Sequence, residues 1–133
     1  MQAPPAIRGI GQIAVNAHDL ARATAFYRDV LGLRHLFTAG SMAFLMCGDV
    51  RLMLGIAEKP EFDHPSSILY FRVDDIDAAH RTLLEHGVRV EQEPLLVHKA
   101  ENHDLWLAFF RDSEDNVMAL MSEVARRSLC GRG

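Results

Sequence analysis

Apolar and polar positions alternate between Gly9 and Asn16, with Ile13 and Val15 on one side of an extended chain and Gln12, Ala14 and Asn16 on the other. That is the period of a half-buried strand. At Asp19 the period changes. Asp19 is a capping residue type, Leu20, Ala23, Tyr27, Val30 and Leu31 then recur at helical spacing, and Gly32 supplies a left-handed helix end. The same order returns after the polar, proline-bearing stretch 58–66. Residues 68–73 read as a strand, Asp74 or Asp75 as a cap, and Ile76, Ala79, Leu83 and Leu84 as an apolar helical stripe closed by Gly87. Gln12 and Ile68 stand 56 residues apart, as do Asp19 and Asp75. A constant offset across strand and helix start identifies an internal duplication.

After each helix come short β-rich runs: 34–38, 42–47 and 50–56 in the first half, and 88–92, 105–111 and 117–121 in the second. Turn residues separate them at Ala39-Gly40, Gly48-Asp49 and Asp112 to Asn116. The expected fold is α+β: two tandem βαβββ repeats forming a concave mixed sheet with the helices outside. The first repeat covers 9–57, a linker 58–66, the second repeat 67–123 and a tail 124–133, all in one domain. Such an arrangement encloses a pocket between the sheets, where function is expected.

Composition narrows the classes. With 133 residues, 49% hydrophobic and 24% charged, the chain can bury a core without disulfides or structural metal. No apolar run is long enough for a membrane helix, and the first residues carry no secretory pattern, so a cytoplasmic setting is expected. Cys47 and Cys130 have no pairing or metal spacing. A net charge of -4 with interspersed signs argues against nucleic acid, Arg126, Arg127 and Arg132 notwithstanding.

Two segments carry a family likeness. Residues 19–33, DLARATAFYRDVLGL, resemble the "DLxxSxxFYxxVLGL" pattern of the vicinal oxygen chelate superfamily. This group includes glyoxalase I, extradiol dioxygenases, methylmalonyl-CoA epimerase and the fosfomycin and bleomycin resistance proteins. Residues 112–120, DSEDNVMAL, resemble its "DPDGNxIEL" pattern, with Ser113 and Asp115 in place of proline and glycine. The likeness spans residues 9–123. It implies the glyoxalase/bleomycin resistance/dioxygenase fold, a homodimer, and a divalent metal held by one inward side chain from the first and last strand of each repeat. Those places fall on Gln12, Met53, Ile68 and Ala119. Thioether, aliphatic and methyl groups are not ligands for a hard divalent ion, so no metal and no other cofactor is expected.

Of the histidines, His18, His35, His80 and His86 read as surface or capping residues, and His64 lies in the linker, where it either leans over the pocket or faces water. His98 and His103 bracket a segment leading to Asp104 and Trp106. This segment reads in two ways: as a mobile stretch at the pocket mouth that closes over a ligand or supplies a general base, or as an exposed polar hairpin whose Trp106 packs in the core. The candidate catalytic residues are therefore His98, His103 and Asp104. The strand faces direct Gln12, Ala14, Asn16, Arg51, Met53, Ile68, Tyr70, Arg72, Ala119 and Met121 to the pocket, with Trp106 beside them. Arg51 or Arg72 suits an anionic group. Two function classes remain: a binding protein holding a small, partly apolar ligand, or an enzyme of lyase, isomerase or dioxygenase type. The enzyme would act through His98 and His103 or with a relocated divalent metal.

Overall fold

The computed structural model describes residues 3–125, so Arg126, Arg127, Cys130 and Arg132 lie outside the described residues. The chain divides into two units, one ending at Pro65 and the other beginning at Ser66.

The first unit runs β1 (Gln12–Asn16), α1 (Leu20–Ala25), β2 (Arg34–Ala39), β3 (Met42–Cys47) and β4 (Val50–Gly55). Its sheet has the order β1-β4-β3-β2, with β1 parallel to β4 and the other pairs antiparallel. The Asp19 carboxylate caps α1 by accepting from Arg22 N at 3.1 Å. The expected helix is not uniform. From Phe26 to Val30 it widens into a π turn, and Leu31 N donates to Phe26 O at 3.0 Å. Leu33 N then reaches Tyr27 O across Gly32, whose φ is 78°. Helix α1 packs on β3 and β4, burying Ala23 and Tyr27 against Ala43, Leu45, Leu52 and Leu54.

The second unit runs β5 (Tyr70–Arg72), α2 (Ile76–Glu85), β6 (Val90–Lys99), β7 (His103–Arg111) and β8 (Val117–Ala125). The order β5-β8-β7-β6 and the parallel first pair repeat the first unit. Asp75 caps α2 through Ala78 N at 3.1 Å, and Val88 N closes the helix on Leu83 O. Here α2 covers β6, β7 and β8, and Ile76 and Leu83 are buried with Ala108, Phe110, Met118 and Leu120.

Three features depart from the sequence reading. Strand β5 is shorter than 68–73, β8 extends through residue 125, and β6 runs well past residue 92 into one long hairpin with β7. Residues 98–105 are mostly ladder, with His98 paired to Leu105 and Lys99 to Asp104, and the turn spans only 100–102. Register shifts beside Gln92, Leu95 and His98 scramble the alternation of β6, which hid the strand.

The β7–β8 turn is built around one buried carboxylate. Asp112 accepts from Glu114 N and Asn116 N, both at 2.9 Å, and from Asn116 Nδ2 at 3.1 Å. Asp115, standing where the family pattern has glycine, takes a left-handed conformation, φ 65°. Asn116 Oδ1 in turn accepts from Ser66 N at 3.0 Å, fastening the start of the unit to its last hairpin.

Candidate functional site

In each sheet one face packs on its helix and the opposite face is open. On the first sheet, alternation and register bring Gln12, Ala14, Asn16, Met42, Phe44, Met46, Arg51 and Met53 to the open face, where Phe37 joins them from β2. Four of these form a row, one per strand. Phe37 stacks on Phe44 with centroids 4.6 Å apart, Arg51 lies over the Phe44 ring at 5.4 Å, and Arg51 Nε donates to Gln12 Oε1 at 2.7 Å. Gln12 Nε2 approaches Met53 Sδ at 3.8 Å.

Beside that row lies a hollow of about 360 Å³ lined by Ala14, Asn16, Ser41, Met42, Met53, Gly55, Ile56, Ala57, Glu58, Phe62 and His64. Its far wall comes from the segment after β4, which makes one 3₁₀ turn at Pro60–Phe62. The wall is tied down twice. Asn16 Nδ2 donates to the carbonyls of Phe62 and His64, and His18 Nε2 meets the Asp63 carboxylate at 2.8 Å. Phe62 is not singled out as a site residue from sequence, and for His64 facing water is the favoured of two readings. Their one local signal is the bracket of Pro60 and Pro65, which restricts the segment without saying where it docks.

On the second sheet the open face carries Tyr70, Arg72, Met121, Leu107 and Phe109, with Tyr70 edge-on to Phe109 at 6.0 Å. Ala119 shares this face by register but is fully buried, so it offers a ligand no accessible surface there. Ile68, 43% exposed, precedes β5. Trp106 does not join this group. Uninterrupted β7–β8 register puts Trp106 on the side of Ala108, Phe110 and Ser122, which faces α2.

Where β5 ends, a second hollow of about 370 Å³ is lined by Arg72, Val73, Asp74, His103, Ser122, Glu123 and Val124. His103 therefore meets charged neighbours there, whereas His98 and Asp104 do not line it. The expected trio of His98, His103 and Asp104 is distributed along a hairpin, and of the three only His103 lines either of these two hollows.

Among the described residues three carboxyl or thiol groups are shifted. A hydrogen bond from Arg111, aided by Arg89, lowers the Glu91 pKa. A hydrogen bond from Arg28 lowers that of Asp29, and burial raises that of Cys47. None of the three lines either hollow.

The divalent metal implied by the resemblance does not fit the donors present. The Gln12 carbonyl oxygen already accepts from a guanidinium, whose charge would repel a metal ion on the same atom. Met53, Ile68 and Ala119 offer no hard donor. Among the described residues no three His, Cys, Asp or Glu side chains gather, so His98 and His103 do not form a relocated ligand set. No helix among them is long and apolar enough to cross a membrane.

Comparison with known proteins agrees with this architecture. Protein YraH of Bacillus subtilis (strain 168) is 26% identical over 123 residues, covering 82% of this chain and 94% of that one. A lactoylglutathione lyase from Agrobacterium tumefaciens superposes with a TM-score of 0.66 at 25% identity, over 90% of this chain and 96% of the other. A glyoxalase/bleomycin resistance protein/dioxygenase from Alicyclobacillus acidocaldarius gives 0.67 at 16% identity, over 92% and 95%. The family model for the Glyoxalase/Bleomycin resistance protein/Dioxygenase superfamily matches residues 9–118, most of the length, and the chain belongs to that superfamily.

Proposed function

We propose that this protein binds a small, partly apolar molecule in the hollow on the open face of its first sheet, without the family metal. One observation carries the reading: the hollow is walled by Met42, Met53, Ile56 and Phe62, and its far wall is a segment that Asn16 pins from β1. Methionines adapt to varied apolar shapes, and a volume of about 360 Å³ lies at the lower end for small-ligand sites. The proposal extends to a homodimer, as the superfamily resemblance implies, to be checked by light scattering, and to a cytoplasmic setting, to be checked by cell fractionation.

The test uses methionine methyl groups as reporters. With ¹³C-methyl methionine in the full chain, apolar fragments should shift the Met42 and Met53 signals and leave Met118, which is fully buried on the helix side, in place. A fragment set that moves none of them, or moves Met118 equally, sinks the reading.

A second reading, an enzyme of lyase or isomerase type, rests on His103 beside Glu123 and Arg72 in the other hollow. It assigns His103 as general base. The superposed lactoylglutathione lyase lends that class plausibility without transferring its substrate. Turnover lost in His103→Gln but kept in His98→Gln would support it.

A further inference from the structure

The geometry points to a small organic carboxylate as the ligand of the first sheet, its carboxylate held by Arg51 and its apolar body in the adjoining hollow. The inference rests on the proposed binding role of that hollow and adds the ligand's charge, its anchoring residue and the direction in which it lies.

Arg51 is exposed, and an exposed arginine normally samples many rotamers. This one is held from two sides. Gln12, its direct partner on β1, takes the Nε hydrogen at 2.7 Å, and the Phe44 ring lies under the guanidinium at 5.4 Å. Phe44 is itself braced from the β2 side by Phe37. The chain thus fixes the guanidinium plane before any ligand arrives, which lowers the entropy lost on binding.

Orientation supplies the second step. Arg51 pairs across the ladder with Met46, yet its guanidinium lies over Phe44, the residue opposite Met53. The side chain therefore leans along the sheet towards the methionine wall of the hollow. Two residues of strand separate Arg51 from Met53, about 7 Å of rise. Because the guanidinium already leans that way, a molecule shorter than that rise joins the cation to the hollow.

Charge supplies the third. With Nε spent on Gln12, the two terminal nitrogens make no hydrogen bond among the described residues, and together they match the two oxygens of a carboxylate. A neutral Gln12 restrains Arg51 without neutralising it. Although Glu58 also lines the hollow, in a chain of net charge -4 a restrained cation beside the methionine wall selects an anion that the rest of the surface disfavours.

The experiment compares 3-phenylpropionate with its uncharged primary amide, titrated into the full chain and followed on the Met42 and Met53 methyl signals. The acid is expected to bind at least about tenfold more tightly than the amide, a difference of about 1.4 kcal/mol, and to weaken with added salt while the amide does not. Gln12→Glu, which sets a carboxylate against Arg51, and Arg51→Gln should each bring acid and amide to equal affinity. Arg51→Lys should keep only part of the preference. All three substitutions lie on an exposed face, and circular dichroism checks that the variants are folded. Equal binding of acid and amide by the unaltered protein, or an acid preference that survives Arg51→Gln, overturns the carboxylate inference and leaves the hollow as a binding site. If neither compound moves Met42 or Met53, both readings fall.

Discussion

The two units share strand order, ladder polarity and helix caps, yet their helices differ by one residue. Asp19 and Asp75 cap equivalent helix starts, 56 residues apart, but Gly32 and Gly87 are separated by 55. The residue gained in the first unit is the π turn. Val88 N closes α2 on Leu83 O five residues back, whereas Leu33 N reaches six back to Tyr27 O. A single inserted residue is thus absorbed inside the helix, and the strands on either side keep their faces. The open faces differ more. The first carries methionines and a braced arginine beside a hollow, while the second carries Tyr70 and Phe109 and gathers its charges at one end. The duplication preserved what the helices cover and varied what they leave open, which is the pattern expected when the core is constrained by packing and the site by chemistry.

The largest expected effects lie where the covered faces correspond. Tyr27 and Leu83 occupy the same place in the repeat, and both are buried beneath their helices. Tyr27→Ala should cost about 3–5 kcal/mol and Leu83→Ala about 2–5 kcal/mol, measured by chemical denaturation. A cost below about 1 kcal/mol for Tyr27→Ala would mean that the π turn is slack rather than the keystone of its unit.

Next come the turns that join the last two strands of each unit, which solve one problem with different residues. The β3–β4 turn uses Gly48 at φ 59°, and the β7–β8 turn uses Asp115 at φ 65° with the Asp112 carboxylate as its centre. Asp112→Ala strips a buried turn of its acceptor and should cost about 2–3 kcal/mol. Gly48→Ala should cost about 1–2 kcal/mol, because alanine pays the left-handed penalty. Asp115→Gly relieves that penalty and should stabilise by up to about 1 kcal/mol. The opposite signs at corresponding turns are the sharp part of the prediction, and equal signs would break the correspondence.

Much of this was legible from periodicity. The alternation at Gln12 to Asn16 gave the faces of β1, Asp19 and Asp75 gave the caps, and the repeat gave the topology, because each depends on neighbours along the chain. The glycine spacing also held the π turn, in the one-residue change of offset. What escaped depends on partners distant in sequence. Nothing local tells that Asn16 will fasten Phe62 and His64 or that Gln12 will restrain Arg51, since each needs a strand pairing to bring the groups together. The length of β6 escaped because register shifts and Pro94 break its period, and of the two places open to Trp106 the ladder gives the helix side. His98 and His103 look like a pair in sequence, but strand alternation and ladder geometry, not chain proximity, decide which side chains meet.

The smallest effect separates two ion pairs, one in each unit, that look alike. Asp29 is lowered in pKa by its neighbour Arg28, and Glu91 by Arg111 and Arg89, and all of these carboxylates are exposed. A carboxylate lowered in the folded state stabilises above its ordinary value and loses that stabilisation as pH falls through the depressed one. The difference that matters, however, is from the unfolded chain. Arg28 and Asp29 are adjacent and can meet in the unfolded chain as well, so their pair contributes little to the pH dependence of folding. Glu91 and Arg111 meet only when β6 lies against β7, so their pair is specific to the folded chain. Glu91→Gln should therefore flatten the loss of stability below the ordinary carboxylate range, while Asp29→Asn should leave the profile unchanged. Denaturation series from neutral to acid pH measure both. An Asp29→Asn profile that flattens as much as Glu91→Gln would show that the two pairs are equivalent, and that being made by the fold rather than by the sequence confers no advantage at these exposed positions.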